Sequence, residues 1–558
     1  MRRLLHRVRS RLDRPWTRDH RLGLGMIVTA TLITIVIGFL GPSAVALRLG
    51  PRIDLLPPWY LPAGIVTVNE WVAVGSLWIG LTIGSIGLWI SYRAVDAGWR
   101  PNIRLIFGLG AGLSTLTSLV PPLTSADVLM YAAYGRLMYT GRNPYDISPA
   151  EITRQEFDPV MRWVEAPWQD TPSVYGPIAT FSQWAAAALG GDNMHNVVFW
   201  LQMWALIPFV AIAFIAVKLA HGDIAFQTRA VLFTILNPIM IWSITAQAHN
   251  EPLTLIFAIV GLWFLRRNAW LAGVGIGLAG CVKVSLVFYG LAMIWGYRHQ
   301  PKNVLKLCVG AVIPIAIGYG IFAPQSLLAA GRNTSYVSSG SWAEGIHELG
   351  RILIGDDLSR RMVGLMGLAG LFIIGWMLSR VLPWDTAPGM PEGTEPRTDP
   401  LTIAIRTAAL LTAAWLITSP YTLSWYDLIT WVPLGLMAAN RLDLITMWRG
   451  TWLSLGYVPG RVIEFGPAIV SMGFAVRDVG STAAMMLAAF VAWTIALAAG
   501  ALAPLDAVRT PLGPGDPSLG WWLLVARAFA PGWVSLASVL TCLVVWRTRP
   551  LRALAVAL

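Results

Sequence analysis

Five polar clusters interrupt an otherwise apolar chain, and they hold most of the residues able to do chemistry. The first is Ser125-Ala126-Asp127, continuing through Tyr131, Tyr134, Gly135 and Arg136 to Gly141-Arg142-Asn143-Pro144-Tyr145. If 126–139 is helical, Asp127, Tyr131, Tyr134 and Met138 share one face, and Arg136 lies on the opposite one. Asp127 is then either an acid–base group or a carboxylate that caps an amphipathic surface helix. The second cluster is Trp168-Gln169-Asp170-Thr171-Pro172-Ser173-Val174-Tyr175-Gly176-Pro177. Its prolines and glycine set a rigid turn. Its aromatic rings suit a sugar platform or a membrane interface.

The third cluster, Gln247-Ala248-His249-Asn250-Glu251-Pro252, separates two apolar runs. It is a tight loop or, because ionisable groups near hydrocarbon are costly, a functional one. In the fourth, Lys283 stands in Gly280-Cys281-Val282-Lys283-Val284-Ser285 with apolar neighbours on both sides. An ammonium so placed snorkels or finds an anion. That anion is either a ligand phosphate or a carboxylate, and Glu251 is the nearest acidic residue upstream. The fifth, Ser419 to Asp427, carries Trp425-Tyr426, an aromatic pair of the kind that lines membrane–water boundaries.

The elements that position these clusters are apolar helices. The chain is 56% hydrophobic and 13% charged, with mean hydropathy +0.61. Soluble domains carry roughly a quarter charged residues, so this chain lacks the surface for one. Runs at 22–46, 71–92, 103–123, 196–217, 229–248, 252–265, 304–323, 362–380, 402–419, 480–503 and 521–546 each approach the roughly 20 residues a membrane helix needs. With 174–190, 269–297 and the 425–459 region, the expectation is an all-α polytopic membrane protein of about 13 crossings. The 269–297 stretch is too long for one straight span and too short for two, so it predicts a broken or hairpin helix.

The net charge of +12 does not point to nucleic acid. Arg2, Arg3, Arg7, Arg9, Arg11, Arg14, Arg18 and Arg21 precede the first apolar run, and other cations sit in short loops. This is positive-inside patterning. It places a basic tail, 1–21, in the cytoplasm of a plasma-membrane protein. After three crossings it places the polar loop 124–173 on the outer face. A second outer loop is expected at 324–360, and 384–400 has linker composition. The apolar body is expected to run from 22 to 503, with 504–558 adding a loop and a last membrane helix. Cys281, Cys308 and Cys542 lie in or beside apolar runs without a CxxC spacing, which favours packing over metal or disulfide chemistry.

Taken in order, these segments resemble the polyprenyl-phosphomannose-dependent α-1,6-mannosyltransferases of actinobacterial lipomannan and lipoarabinomannan assembly. The carrying residues are Asp127, Tyr131-Ala132 and Gly135; Gly141, Asn143-Pro144-Tyr145; Asp170-Thr171-Pro172-Ser173 with Tyr175-Gly176-Pro177; Asn237-Pro238; His249-Asn250; Lys283; and Trp425-Tyr426. The chain departs from the pattern where Glu251 replaces an Asp and Ser424 a Pro, and Asp427 is additional.

The resemblance implies a GT-C-like bundle, with the active site built from outer-face loops. It implies a polyprenyl-phosphate-mannose donor, membrane lipid around it, a mannosylated phosphoinositide or lipomannan acceptor, and no nucleic acid. Asp127 would be the base of an inverting transfer. Lys283, His249, Asn250 and Arg136 would hold the donor phosphate. Tyr131, Tyr134, Asn143, Tyr145, Asp170, Tyr175, Glu251, Trp425 and Tyr426 would contact sugar or acceptor. No cofactor or protein-bound metal site is implied, and a divalent metal stays open. Another polyprenyl-phosphate sugar, such as arabinose, and a lipid-linked sugar flippase or transporter are the alternative readings.

Overall fold

The computed structural model describes residues 14–469, apart from 50–55, 62–64, 66–67, 166–167, 221, 327–335, 339–340, 387–394, 461, 463–465 and 467–468. The expected spans at 480–503 and 521–546, the 504–558 segment, Cys542 and most of the basic tail lie outside the described residues.

Among the described residues the fold is helical, with one isolated bridge between Thr386 and Met437. Among the described residues seven helices are long and apolar enough to cross a membrane: His20–Leu40, Glu70–Asp96, Met194–Leu219, Ile224–Thr245, Pro301–Phe322, Asp356–Val381 and Pro400–Thr418. Four shorter apolar helices accompany them, including Ile103–Thr117 and Glu251–Phe264. Burial differs sharply along the set. The apolar window of Pro400–Thr418 is 83% buried, whereas that of Pro301–Phe322 is only 17% buried. Helices that show this much Leu, Ile and Phe on an outward face are matched to hydrocarbon rather than water. The chain is a polytopic, all-α membrane protein.

Helix starts follow local chemistry. Asp19, Asn69, Asn102, Asn193, Asp223, Asn268 and Asp399 each cap a helix by accepting backbone N–H bonds. Buried ion pairs tie distant segments together. Arg229 bonds Asp443 at 3.0 Å and the carbonyls of Leu434 and Met437 at 2.9 Å. Arg266 grips Asp399 through two bonds of 2.8 and 2.7 Å, which joins the ends of the Glu251–Phe264 and Pro400–Thr418 helices.

The stretch after Asn268 is broken, as its composition predicts. Helix Ala269–Gly280 stops, Cys281 to Lys283 run as an irregular link, and Val284–Leu286 winds into helix Val287–Gly296. The 124–173 segment is more ordered than a loop. It contains the Asp127–Tyr139 helix, a turn of helix at Pro149–Thr153 and two 3₁₀ turns. In the 324–360 segment, residues Trp342–Ile354 form an amphipathic helix.

Candidate active site

A cavity of about 560 Å³ opens where all five clusters meet, the third lining it through Glu251 while its His249 packs behind. The Asp127–Tyr139 helix forms one wall. Its start is fixed from the neighbouring cluster. Gln247 Oε1 accepts the backbone N–H groups of Thr124 and Ser125 at 2.9 and 2.8 Å, and its Nε2 donates to Thr124 Oγ1 at 3.0 Å. Asp127, in the first turn, therefore lies at a set height, with its side chain one-third exposed to the cavity. One and two turns later Tyr131 and Tyr134 line the same wall, on the face that the i, i+4, i+7 spacing specifies. Tyr134 Oη donates to the Thr171 carbonyl at 2.8 Å, and Tyr175 packs edge-on to Tyr131 with ring centroids 5.5 Å apart. Gly135, on the opposite side of the helix, lies against the Gln183 carbonyl, where a Cβ would collide with backbone.

The opposite wall carries the charge. Lys283 lies in the break after Gly280, and its Nζ bonds Glu251 Oε1 at 2.7 Å. Both residues line the cavity; the lysine side chain is a quarter exposed and the glutamate almost buried. The ammonium also sits 4.3 Å from the centre of the Tyr426 ring, a cation–π distance. Of the two anions that the sequence leaves open for Lys283, the carboxylate is thus present in the fold. Beyond Lys283 the wall turns apolar, with Val287, Phe288, Leu368 and Leu371.

Trp425 and Tyr426 close a third side. Their segment is anchored by Asp427, fully buried and paired with Arg449, which also bonds Thr422 Oγ1 and the Leu416 carbonyl. Asp427, the residue with no counterpart in the resemblance, is therefore an internal counter-ion. Trp425 stacks on His249 with centroids 3.6 Å apart and a 16° interplanar angle. His249 is wholly buried, and its Nδ1 lies 3.6 Å from Asp127 Oδ2. Burial, and after it the Lys283 ammonium, hold its imidazole well below the usual histidine range.

Several expected contributors lie elsewhere. Arg136 does not reach the cavity; it pairs with Asp158 at 2.8 Å and Asp192 at 2.6 Å on the far side of its helix. Asn143 donates to Asp146 at 2.6 Å and Tyr145 Oη bonds Thr180 at 2.8 Å, both in the support behind the wall. Asp170 pairs with Arg154 on the surface. His249 and Asn250 sit behind the lining rather than in it. The fold adds lining residues that sequence reasoning had not assigned: Trp168, Tyr336 and Tyr421, with Trp168 edge-on to Tyr336 at 5.3 Å. Their polar, aromatic segments were the available signal. Among the described residues, no group of three His, Cys, Asp or Glu side chains is arranged to hold a metal ion.

Two carboxylates, one of them paired with an ammonium, together with aromatic faces and an apolar flank in one cavity fit an amphipathic ligand with a sugar-like, hydroxyl-rich end. Residues 26–297 match the family model described as alpha-(1->6)-mannopyranosyltransferase, N-terminal domain. Over this segment the chain is similar to the α-(1→6)-mannopyranosyltransferases. It is 24% identical over 319 residues to alpha-(1->6)-mannopyranosyltransferase B of Corynebacterium glutamicum, which covers 52% of each chain. It is 26% identical over 372 residues to a probable alpha-(1->6)-mannopyranosyltransferase of Mycolicibacterium smegmatis, covering 58% of this chain and 65% of that one. It is 25% identical over 289 residues to alpha-(1->6)-mannopyranosyltransferase A of C. glutamicum, covering 50% of this chain and 57% of the relative. The chain thus spans about half to two thirds of the length of these relatives. No solved structure matches it. The matched family segment contains Asp127, Tyr131, Tyr134, Tyr175, Glu251 and Lys283; Trp425 and Tyr426 come from beyond it.

Proposed function

We propose that the chain is a membrane glycosyltransferase. In this reading it transfers mannose from a polyprenyl-phosphate-mannose donor to a growing α-1,6-mannan lipoglycan acceptor, with inversion at the anomeric carbon. The observation that carries this reading is the convergence of Asp127, the Lys283–Glu251 pair and an apolar flank on one cavity. The relatives' names support the mannosyl and α-1,6 parts of it.

The chemistry balances with one carboxylate. The acceptor hydroxyl oxygen attacks the anomeric carbon while its proton passes to Asp127. The bond from the anomeric carbon to the phosphate oxygen breaks, and its electron pair leaves with the polyprenyl phosphate. In this reading Lys283 meets the developing phosphate charge, since a cation aimed at developing charge favours the transition state. Glu251 holds that ammonium in place until the donor arrives. Two carboxylates, as most glycoside hydrolases use, are not required, because the phosphate leaves without protonation. Trp425, Tyr426 and Tyr175 provide ring faces for the sugar, and Val287, Phe288 and Leu371 provide a path for the lipid. In this reading the N-terminus is cytoplasmic and the cavity faces the outer side of the plasma membrane, which the positive-inside pattern of the sequence supports.

The test uses membranes containing the full chain, a labelled polyprenyl-phosphate mannose and a short α-1,6-mannoside acceptor. General-base catalysis typically contributes 10²–10⁴-fold, so Asp127→Asn should lower turnover by about that factor while the protein still inserts and folds. Near-wild-type turnover by that variant would remove Asp127 from the reaction. Absence of any mannosylated product with the wild-type chain would remove the reaction itself.

A further inference from the structure

We infer that His249 is a positioning residue for Asp127, donating a hydrogen bond to one carboxylate oxygen so that the other faces the acceptor hydroxyl. The inference rests on the reading of Asp127 as the base and adds a second residue to that reading. Four observations carry it.

First, His249 has no exposed surface and does not line the cavity, so it has no direct route to a donor phosphate. Second, neither of its ring nitrogens makes a hydrogen bond, yet Nδ1 lies 3.6 Å from Asp127 Oδ2. Packing alone would be served by an apolar ring, since a buried polar atom without a partner is costly. Third, the ring is held in one orientation. It stacks on Trp425 at 3.6 Å, and Trp425 is itself braced edge-on by Tyr457 at 4.9 Å. Fourth, the backbone is forced into unusual geometry just before it. Residues Ile241–Thr245 form a π-helical turn, and Ala248 has φ +57°, a left-handed conformation that no other non-glycine among the described residues adopts. Strain of this kind persists where the surrounding structure holds it, often at functional sites. Here it serves to bring the imidazole under the first turn of the Asp127 helix.

A separation of 3.6 Å is longer than a hydrogen bond. Catalytic hydrogen bonds are often long in the free enzyme and tighten in the substrate complex. A shift of a few tenths of an ångström would bring Asp127 Oδ2 within bonding distance of Nδ1–H. The carboxylate then presents its remaining oxygen to the acceptor, and the proton taken from that hydroxyl stays on Asp127. His249 donates throughout and exchanges no proton with the substrate.

The test compares three variants with wild type in the transferase assay, each checked for thermal stability. His249→Phe keeps a ring to stack on Trp425 and removes the donor. His249→Asn loses the ring and places an N–H near the Nδ1 position. Positional errors in a catalytic group cost up to about 100-fold. His249→Phe should therefore lower kcat roughly 10- to 100-fold with KM for the lipid donor unchanged, and His249→Asn should recover part of that loss. Because His249 acts through Asp127, adding His249→Phe to Asp127→Asn should lower kcat no further. Wild-type kcat in a folded His249→Phe variant overturns the inference. So does a raised donor KM at unchanged kcat, which would return His249 to the phosphate. So does failure of both single variants to accumulate, which would make the residue structural. Asp127→Asn, measured alongside, separates the two readings. If it is inactive while His249→Phe is fully active, only the positioning role fails; if it is fully active, the base assignment fails.

Discussion

Replacing Lys283 by Met would remove the positive half of a pair that links the break in the Ala269–Val287 region to the start of the Glu251–Phe264 helix. The bond is 2.7 Å long and the Glu251 side chain is only 5% exposed. Breaking a buried pair from one side typically costs about 3–5 kcal/mol, because the remaining charge is stranded. The Lys283→Met variant should therefore lose roughly 3 kcal/mol at pH 7. Adding Glu251→Gln should restore most of the stability without restoring donor binding. The assay is thermal unfolding in detergent for wild type, both single variants and the double variant, with donor KM measured alongside. Wild-type stability of Lys283→Met at pH 7, or a loss that Glu251→Gln leaves untouched, would refute the reasoning that this pair is integral to the fold.

Other outcomes follow from the same geometry. Asp127→Asn should cut turnover about 10²–10⁴-fold with stability retained, read in the mannosyl-transfer assay. Gly135→Ala should sharply reduce the yield of folded protein, because its Cβ would meet the Gln183 backbone carbonyl, which is not free to move aside; detergent-extracted monodisperse protein is the readout. Gln155 is exposed within the 124–173 segment, so a Gln155→Cys variant should react with an impermeant thiol reagent in intact cells. Labelling only after permeabilisation would reverse the proposed topology. Arg449→Leu should destabilise by about 3–5 kcal/mol in thermal unfolding, since it strands the fully buried Asp427.

What was legible in the sequence was local. The shared face of Asp127, Tyr131 and Tyr134 follows from helical spacing alone, and the structure keeps it. The break near Lys283 follows from segment length and glycine content. The same spacing puts Arg136 on the far face, away from Asp127, and the structure keeps it there on Asp158 and Asp192, although the resemblance had assigned it to the donor phosphate. What was not legible depended on contacts between segments remote in sequence. Arg229 meets Asp443 across 214 positions and Arg449 meets Asp427 across 22, and no local pattern announces either partnership. Tyr336 and Tyr421 meet at the cavity because residues 336–338 lie against the Ser419–Asp427 segment, where Ser338 Oγ bonds the Thr422 carbonyl at 3.1 Å. The left-handed Ala248 could not be anticipated either, because alanine carries no signal for that conformation.

Helix length explains why the polar chemistry collects where it does. A 12-residue helix such as Ala269–Gly280 rises about 18 Å, well short of the roughly 30 Å hydrocarbon core. Its end therefore falls where a full span would still be running, and the carbonyls there need partners. Tyr319 Oη donates to the Gly280 carbonyl at 2.8 Å, and the backbone N–H groups of Gly176 and Ile178 bond the Val282 and Cys281 carbonyls at 3.0 Å. With the backbone satisfied, the interruption can persist beside a cavity. Lys283 follows directly, and the 14-residue Glu251–Phe264 helix, likewise too short to span, starts with its carboxylate partner. Two short helices thus bring opposite charges together at one cavity wall. Under the proposed reading, this step is where a charged headgroup would be met while the ligand's tail stays in hydrocarbon; full-length spans would have carried both residues past it.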